Sequence, residues 1–313
     1  MLKTISRNFP AALALLLILF SNASAGPTEF KKINGFLMGE RLLDVVYHLG
    51  YAPTALVGGC GSRVAAKFEG HSVLGGCTGR MLRNEAKNLK ALCRDNNIDR
   101  VISEKGIKPC SGGPDKPLSE LLGKKSRVTL IDFSKGLVPA IHEIAGILGC
   151  PEKGEALAAT YGKAMEKALA GISKTAEPKK IVVPKGIHTA SGKGFLQVEA
   201  ATGPSGHALL PTLGLESAGP AMASETAKAS HGFLPLHNLK KLSQVSPDVI
   251  VVMGDAFVVQ RELNRWAKSD PKAAAAVPAL FNHAVFTLPP ADSEGALGYP
   301  GILNRWASTL KGV

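Results

Sequence analysis

The sequence predicts an α/β protein of two lobes, each with a mostly parallel sheet flanked by helices, joined by a single long backbone helix. Three observations predict it. Short apolar runs, among them Arg100–Ser103, Val128–Ile131, Lys180–Val183 and Val249–Met253, alternate with helical stretches, the pattern of strands with right-handed crossovers. The alternation stops once in mid-chain for an uninterrupted helical stretch, Pro151–Lys174, and then resumes. The 313 residues suffice for a leader and two domains.

The mid-chain stretch, PEKGEALAATYGKAMEKALAGISK, carries its own start and stop signals. Pro151 suits a first helical turn, where its missing N–H costs nothing. Glu152 and Glu155 lie near the positive end of the helix dipole, and Lys167 and Lys174 near the negative end. Leu157, Tyr161, Ala164, Met165, Ala168, Leu169 and Ile172 recur at close to the helical period. Two roles are open: a surface helix on one core, or a strut between two lobes. Pro178 breaks the helix, and a fresh strand follows.

The first residues read as an export signal: Lys3 and Arg7, an apolar run Ala11–Phe20, and an A-x-A cleavage site ending at Ala25. The run is short for a bilayer span. The expected division is therefore a signal peptide over 1–25, a first lobe over 26–150, the connecting helix over 151–175 and a second lobe over 176–313. Net charge is +12, and loss of Lys3 and Arg7 leaves +10, which suits an anionic ligand, an acidic partner or an envelope surface. Export, and the lack of a basic run interleaved with aromatics, argue against nucleic acid. All five cysteines, Cys60, Cys77, Cys93, Cys110 and Cys150, precede the helix. An oxidising compartment makes disulfides the default, and an odd count leaves at least one unpaired. No CxxC occurs.

In the first lobe a helix is expected over Arg41–Leu49. A strand, Ala55–Val57, then runs into Gly58-Gly59-Cys60-Gly61-Ser62-Arg63, a turn at a strand's carboxyl end, where α/β sheets place ligand loops. It lacks the spacing of a nucleotide-binding loop, and a plain tight turn is the alternative. A helix is expected over Glu85–Asn96 and another over Leu137–Leu148. In the second lobe a Gly-rich segment, Gly186–Gly194, follows the first strand. Further elements are a helix ending at Leu213, helices over Asn238–Val245, Gln260–Ala267 and Ile302–Leu310, and a strand over Ala284–Leu288. RVISEKGIK (100–108) and KIVVPKGIH (180–188) are alike; each sets a lysine at a strand end.

The order of these elements resembles the substrate-binding proteins of ABC importers for ferric siderophores, haem, cobalamin and related metal chelates. The resemblance rests on SQVSPDVIVV (243–252), on Trp266 followed by VPALFNHAVF (277–286), and on YPGILNRW (299–306); Arg41–Gly50, Asn88–Ile102 and Ile141–Tyr161 follow it more loosely. It implies an exported, periplasmic monomer without a catalytic cofactor. Such a protein hands a metal-containing ligand, whether a siderophore-like chelate, a corrinoid or a metal ion, to an inner-membrane ABC permease. Two departures stand out. Leu236-His237-Asn238-Leu239 occupies the place of a glutamate that often opens the helix before the Pro-Asp strand. Glu85 is a first-lobe counterpart for permease docking, and the second lobe has no obvious one.

Ligand contacts are then expected on strand-end loops: Cys60, Arg63, Lys105, Lys108, Lys185, His188, Lys193, His207, His231 and Asp255. The arginine and lysines suit carboxylates or a chelate's charge, with exposure for solubility as the alternative. The histidines, Cys60 and Asp255 are metal-ligand types, but no HxxxH or HxxE groups them. Few aromatics are available to line a tetrapyrrole pocket, Phe195, Phe233 and Phe257 among them, so a smaller chelate or metal ion ranks higher. The rival class is a periplasmic thiol- or metal-dependent enzyme using Cys60, for which no triad signature is present; a metal-sequestering protein is a third.

Overall fold

A computed structural model describes residues 29–311 apart from 60–62, 78–80, 82–86, 107–119, 121, 123–126, 173–177 and 190. The first lobe opens with β1 (Lys31–Met38), α1 (Glu40–His48), β2 (Tyr51–Gly58), a single turn Arg63–Ala66 and β3 (Val73–Cys77). It continues with α2 (Lys87–Asp95), β4 (Arg100–Glu104), β5 (Arg127–Ile131) and α3 (Leu137–Ile147). The five strands form one sheet in the order β3-β2-β1-β4-β5, every neighbouring pair parallel.

Alternation along the strands feeds two cores, one on each face. Leu37 and Leu56 pack with α1, α3 and Phe68, while Phe36, Met38, Ala55 and Val57 pack with Leu89 and Cys93 of α2. Parallel strands buried on both faces read as apolar runs rather than as alternation, and β2 (YAPTALVG) does so despite Pro53. The pairing of β1 with β2 slips between Ile33 and Phe36, so that Asn34 and Gly35 form a bulge opposite Thr54, next to the proline, which has no N–H to give. Gly39, before α1, offers no capping side chain. The carboxylate of Glu104, at the end of β4, does that work instead: it accepts the amides of Arg41 at 2.6 Å and Leu42 at 3.2 Å.

The long helix, α4 (Pro151–Ala170), spans about 30 Å at ~1.5 Å per residue. Its first half buries Ala158 in the first lobe's core, with Leu157 packed alongside. Its second half buries Ala168 in a different core, with Met165 and Ile172 alongside. The strut role is therefore the one adopted. Gly154 makes the first contact close: a methyl group there would collide with the Cβ of Ala145 on α3.

The second lobe contains β6 (Lys179–Val182), β7 (Pro184–His188), β8 (Gly194–Glu199), β9 (Leu215–Ser217), β10 (Phe233–Leu236), β11 (Val249–Gly254), α5 (Ala256–Ser269), β12 (Val285–Thr287) and α6 (Tyr299–Thr309). Lys179–His188 is nearly one strand, interrupted at Val183. Its lower part pairs with β9 and its upper part with β8, and both parts pair with β11. This curls the seven-stranded sheet. Pairing is parallel except where β8 runs against β7 and β10. Ile250 and Val252 face the core under α5, whereas Val249, Val251 and Met253 face the core under α4 and α6. The fully buried Trp306 of α6 anchors the latter, its indole N–H donating to the Pro289 carbonyl at 3.0 Å.

Several expectations need correction. The Gly-rich segment 186–194 is largely a hairpin: β7 stays extended as far as His188, because its backbone pairs with β8. Lys185 consequently sits inside a strand, not on a loop. The helix expected over Asn238–Val245 is one turn, Leu242–Val245, and the one ending at Leu213 is one turn, Leu209–Thr212. The helix expected over Gln260–Ala267 is longer, Ala256–Ser269, because Asp255 caps it: its side chain accepts the amides of Phe257 and Val258.

Candidate functional site

A cavity of about 480 Å³ lies between the lobes, against the strut. The first lobe supplies His48, Arg63, Val64 and Lys67. The strut supplies one face of α4, from Leu157 to Ala164, with Tyr161 on it. The second lobe supplies part of the loop before α6, from Ser293 to Gly298. That size is typical of small-molecule sites. Three basic side chains on the first-lobe wall face a single lining carboxylate, Glu294, which is already paired with Arg305 at 2.9 Å. Lys67 is paired with Asp44 at 3.3 Å, whereas Arg63 has no ion-pair partner among the described residues. The wall thus offers a net positive surface to a ligand's anionic group. Burial, and next the neighbouring Tyr299, push the Tyr161 phenol up, so it stays a neutral hydrogen-bonding group.

Asp44 holds the second-lobe wall in place. This carboxylate is fully buried in α1, yet it accepts the amide of Leu297 from the opposite lobe at 2.8 Å. Gly295, at φ 78°, closes over it: a Cβ there would lie 2.6 Å from the carboxyl. Leu297 itself packs against the first lobe's core.

Of the described residues among those expected from sequence, Arg63 alone lines this cavity. Cys60 and Lys108 lie outside the described residues. Lys105 stands at the end of β4, as expected, and is paired with Asp132 at 2.9 Å; hydrogen bonds from Ser134 and then Lys105 hold the Asp132 carboxyl far below its usual range. Lys185 lies over the Phe233 ring, its ammonium 4.2 Å from the centroid. Lys193 is in the β7–β8 turn, where its amide donates to Thr189 Oγ1 at 3.1 Å. His207 and His231 are exposed, His231 in a left-handed turn at φ 51° just before the edge strand β10.

The structure does bring two of them together. His188 Nδ1 is 2.5 Å from Asp255 Oδ2, at the carboxyl ends of β7 and β11. The His188 hydrogen bond first, and then the Val258 amide, hold the Asp255 carboxyl below its usual range. Among the described residues no group of three or more His, Cys, Asp and Glu is placed to hold a metal ion. Sequence reasoning missed His48, Lys67, Tyr161 and Asp44. Asp44 had one legible signal, a lone acid within the apolar helix RLLDVVYHL; the others look like ordinary surface residues.

Two sheet-built lobes, one connecting helix and a cavity between them define the fold of the ABC-transporter substrate-binding proteins. Solved structures bear this out. The chain is similar to an ABC transporter substrate-binding protein from Listeria monocytogenes EGD-e at 14% identity, covering 89% of this chain and 99% of that one, with a TM-score of 0.56. It is similar to the periplasmic haem-binding protein RhuT from Roseiflexus sp. RS-1 at 16% identity, covering 88% and 96%, with a TM-score of 0.58. It is also similar to the periplasmic haem-binding protein HutB of Vibrio cholerae at 17% identity, covering 89% and 100%, with a TM-score of 0.58. No protein-family model matches the sequence, and no curated protein does.

Proposed function

We propose that the protein is an exported, periplasmic substrate-binding protein that holds a small anionic metal chelate between its lobes and delivers it to an inner-membrane ABC permease. The observation that carries this reading is the strut buried half in each of two cores, with a basic-walled cavity beside it. A ligand that touches both lobes stabilises their docked arrangement by its differential affinity. The likeness in fold to binding proteins for haem supports the same class of cargo. Arg63 is the residue proposed to meet the ligand's negative group.

The test is thermal-shift titration of the purified mature chain with haemin, ferric citrate and a ferric tris-catecholate, three anionic chelates of different shape. It is paired with native mass spectrometry and elemental analysis of protein recovered from the periplasm. At a hundredfold excess over Kd, a true ligand adds about 2.7 kcal/mol of stability, a readily measured shift. Arg63→Ala is expected to weaken the bound ligand roughly ten- to a hundredfold, the worth of a charge-assisted hydrogen bond. Absence of any stabilisation by the three, together with a periplasmic protein carrying no added mass, would overturn the proposal.

A further inference from the structure

We infer that the second lobe holds a buried monovalent cation, sodium or potassium, in an oxygen-lined cage at the end of β8, on Glu199 Oε2 and the Ser205 hydroxyl. The site is separate from the cavity between the lobes and does not depend on what the protein carries.

A comparison of two strand-end glutamates shows what is missing. Glu104, the last residue of β4, closes over Gly39. Its Oε1 accepts the amides of Arg41 and Leu42, and its Oε2 takes the Arg41 guanidinium, with Nη2 at 2.8 Å. Glu199, the last residue of β8, is built the same way against Gly203. Its Oε1 accepts the amides of Ser205 and Gly206, the latter at 3.0 Å. Here the likeness ends: Glu199 Oε2 has no partner among the described residues, and neither has the Ser205 Oγ. Glu199 is 1% exposed and Ser205 0%, so bulk water does not reach either group. Orphaned buried polar atoms in a native fold mark a bound ion or water, and buried charges are paired or coordinate a metal. The first lobe supplies an arginine for this purpose, and the second supplies no side chain.

Further oxygens crowd the same turn. A methyl group at Gly203 would lie 2.7 Å from the Gly232 carbonyl oxygen, and one at Gly206 would lie 2.7 Å and 2.9 Å from those of Ala201 and Ala200. Carboxylate, hydroxyl and carbonyl oxygens are the donors of a hard cation. Burial pushes the Glu199 carboxyl up, opposed by the amides of Gly206 and Ser205 and by the Ser205 hydroxyl, and the Asp292 charge pushes it further. A cation offsets both of the unfavourable contributions. One buried carboxylate balances one positive charge. Calcium takes roughly six to eight oxygens, several of them from carboxylates, and no three acids are grouped among the described residues. A water could bridge Oε2 and Oγ, but it would leave the charge unpaired.

The test melts wild-type protein, Glu199→Gln, Ser205→Ala and the exposed control Glu216→Gln in sodium, potassium or choline chloride at equal ionic strength, with a calcium arm. Hydrogen exchange at the Ser205 and Gly206 amides locates any change. Wild type and the control should melt several degrees higher in sodium or potassium than in choline, with a gain that grows with the logarithm of ion concentration. The two amides should be better protected in the stabilising salt. Glu199→Gln should lose the gain and Ser205→Ala most of it, whatever their stability in choline. Equal melting of wild type in all three salts would overturn the inference and leave Glu199 to a proton or a water. A gain kept in full by Glu199→Gln would overturn the placement, and a gain given by calcium alone would overturn the monovalent assignment.

Discussion

Replacing Asp44 by alanine tests whether the lobes are latched to each other through a buried hydrogen bond. Three things change at once. The amide of Leu297 loses its acceptor in a place where little water reaches it, at a cost of about 1–3 kcal/mol. Lys67 and His48 lose a buried anion, but both are about one-third exposed and can rehydrate, so this part is worth no more than ~1 kcal/mol. Gly295 is left over a small void. The expected total is a loss of about 2–4 kcal/mol, large against a typical stability of about 5–15 kcal/mol. Asp44→Asn keeps an oxygen for Leu297 and should cost clearly less. Urea unfolding gives the free energies, and hydrogen exchange at the Leu297 amide locates the change. If the alanine variant unfolded at the wild-type midpoint with that amide as protected as before, the latch would not exist.

Two further outcomes are expected. Gly154→Ala gains up to about 1 kcal/mol of helix propensity but forces a methyl group into Ala145, and overpacking of this kind costs about 1–3 kcal/mol. The variant should therefore melt below wild type, whereas a higher melting temperature would show that α3 and α4 separate freely. Glu199 is 1% exposed, and burial, only partly opposed by the amides of Gly206 and Ser205, raises its pKa above the usual 4.5. A carboxyl that ionises less readily folded than unfolded makes the fold weaker as pH rises through the interval above 4.5. Glu199→Gln should remove that part of the slope, measured as urea midpoints between about pH 5 and pH 7. An unchanged slope would exclude Glu199 as its source.

What the sequence made legible was set by local physics. The strut was visible because a first-turn proline, dipole complementarity and apolar period all agree over Pro151–Ala170. Six strands, β2, β4, β5, β6, β11 and β12, were visible as short runs rich in apolar and β-branched residues, although β5, at the sheet edge, buries only Ile131. β1 was not: KKINGFLM carries Asn-Gly, a turn pair, and only pairing with β2 and β4 turns that pair into a bulge. β3, with Gly75 and Gly76 in a five-residue strand, looks like a loop for the same reason. The hairpin of β7 and β8 was hidden because its extended backbone is sustained by cross-strand bonds rather than by residue preference. At the site, the pairing of His188 with Asp255 joins residues 67 positions apart, and spacing alone does not reveal it. The basic cavity wall was legible only in Arg63. Whether Lys67 or His48 faces a ligand depends on how α1 and the turn after β2 pack, not on any motif.

Because α4 gives half its length to each of two cores, neither half of the molecule owns it. A ten-residue piece of helix has little stability of its own in water, so melting of one lobe would strip support from the segment that completes the other. The protein should accordingly denature in a single step despite its two sheets. A protease that cuts within α4 would leave two fragments each missing part of its wall, rather than two independent modules.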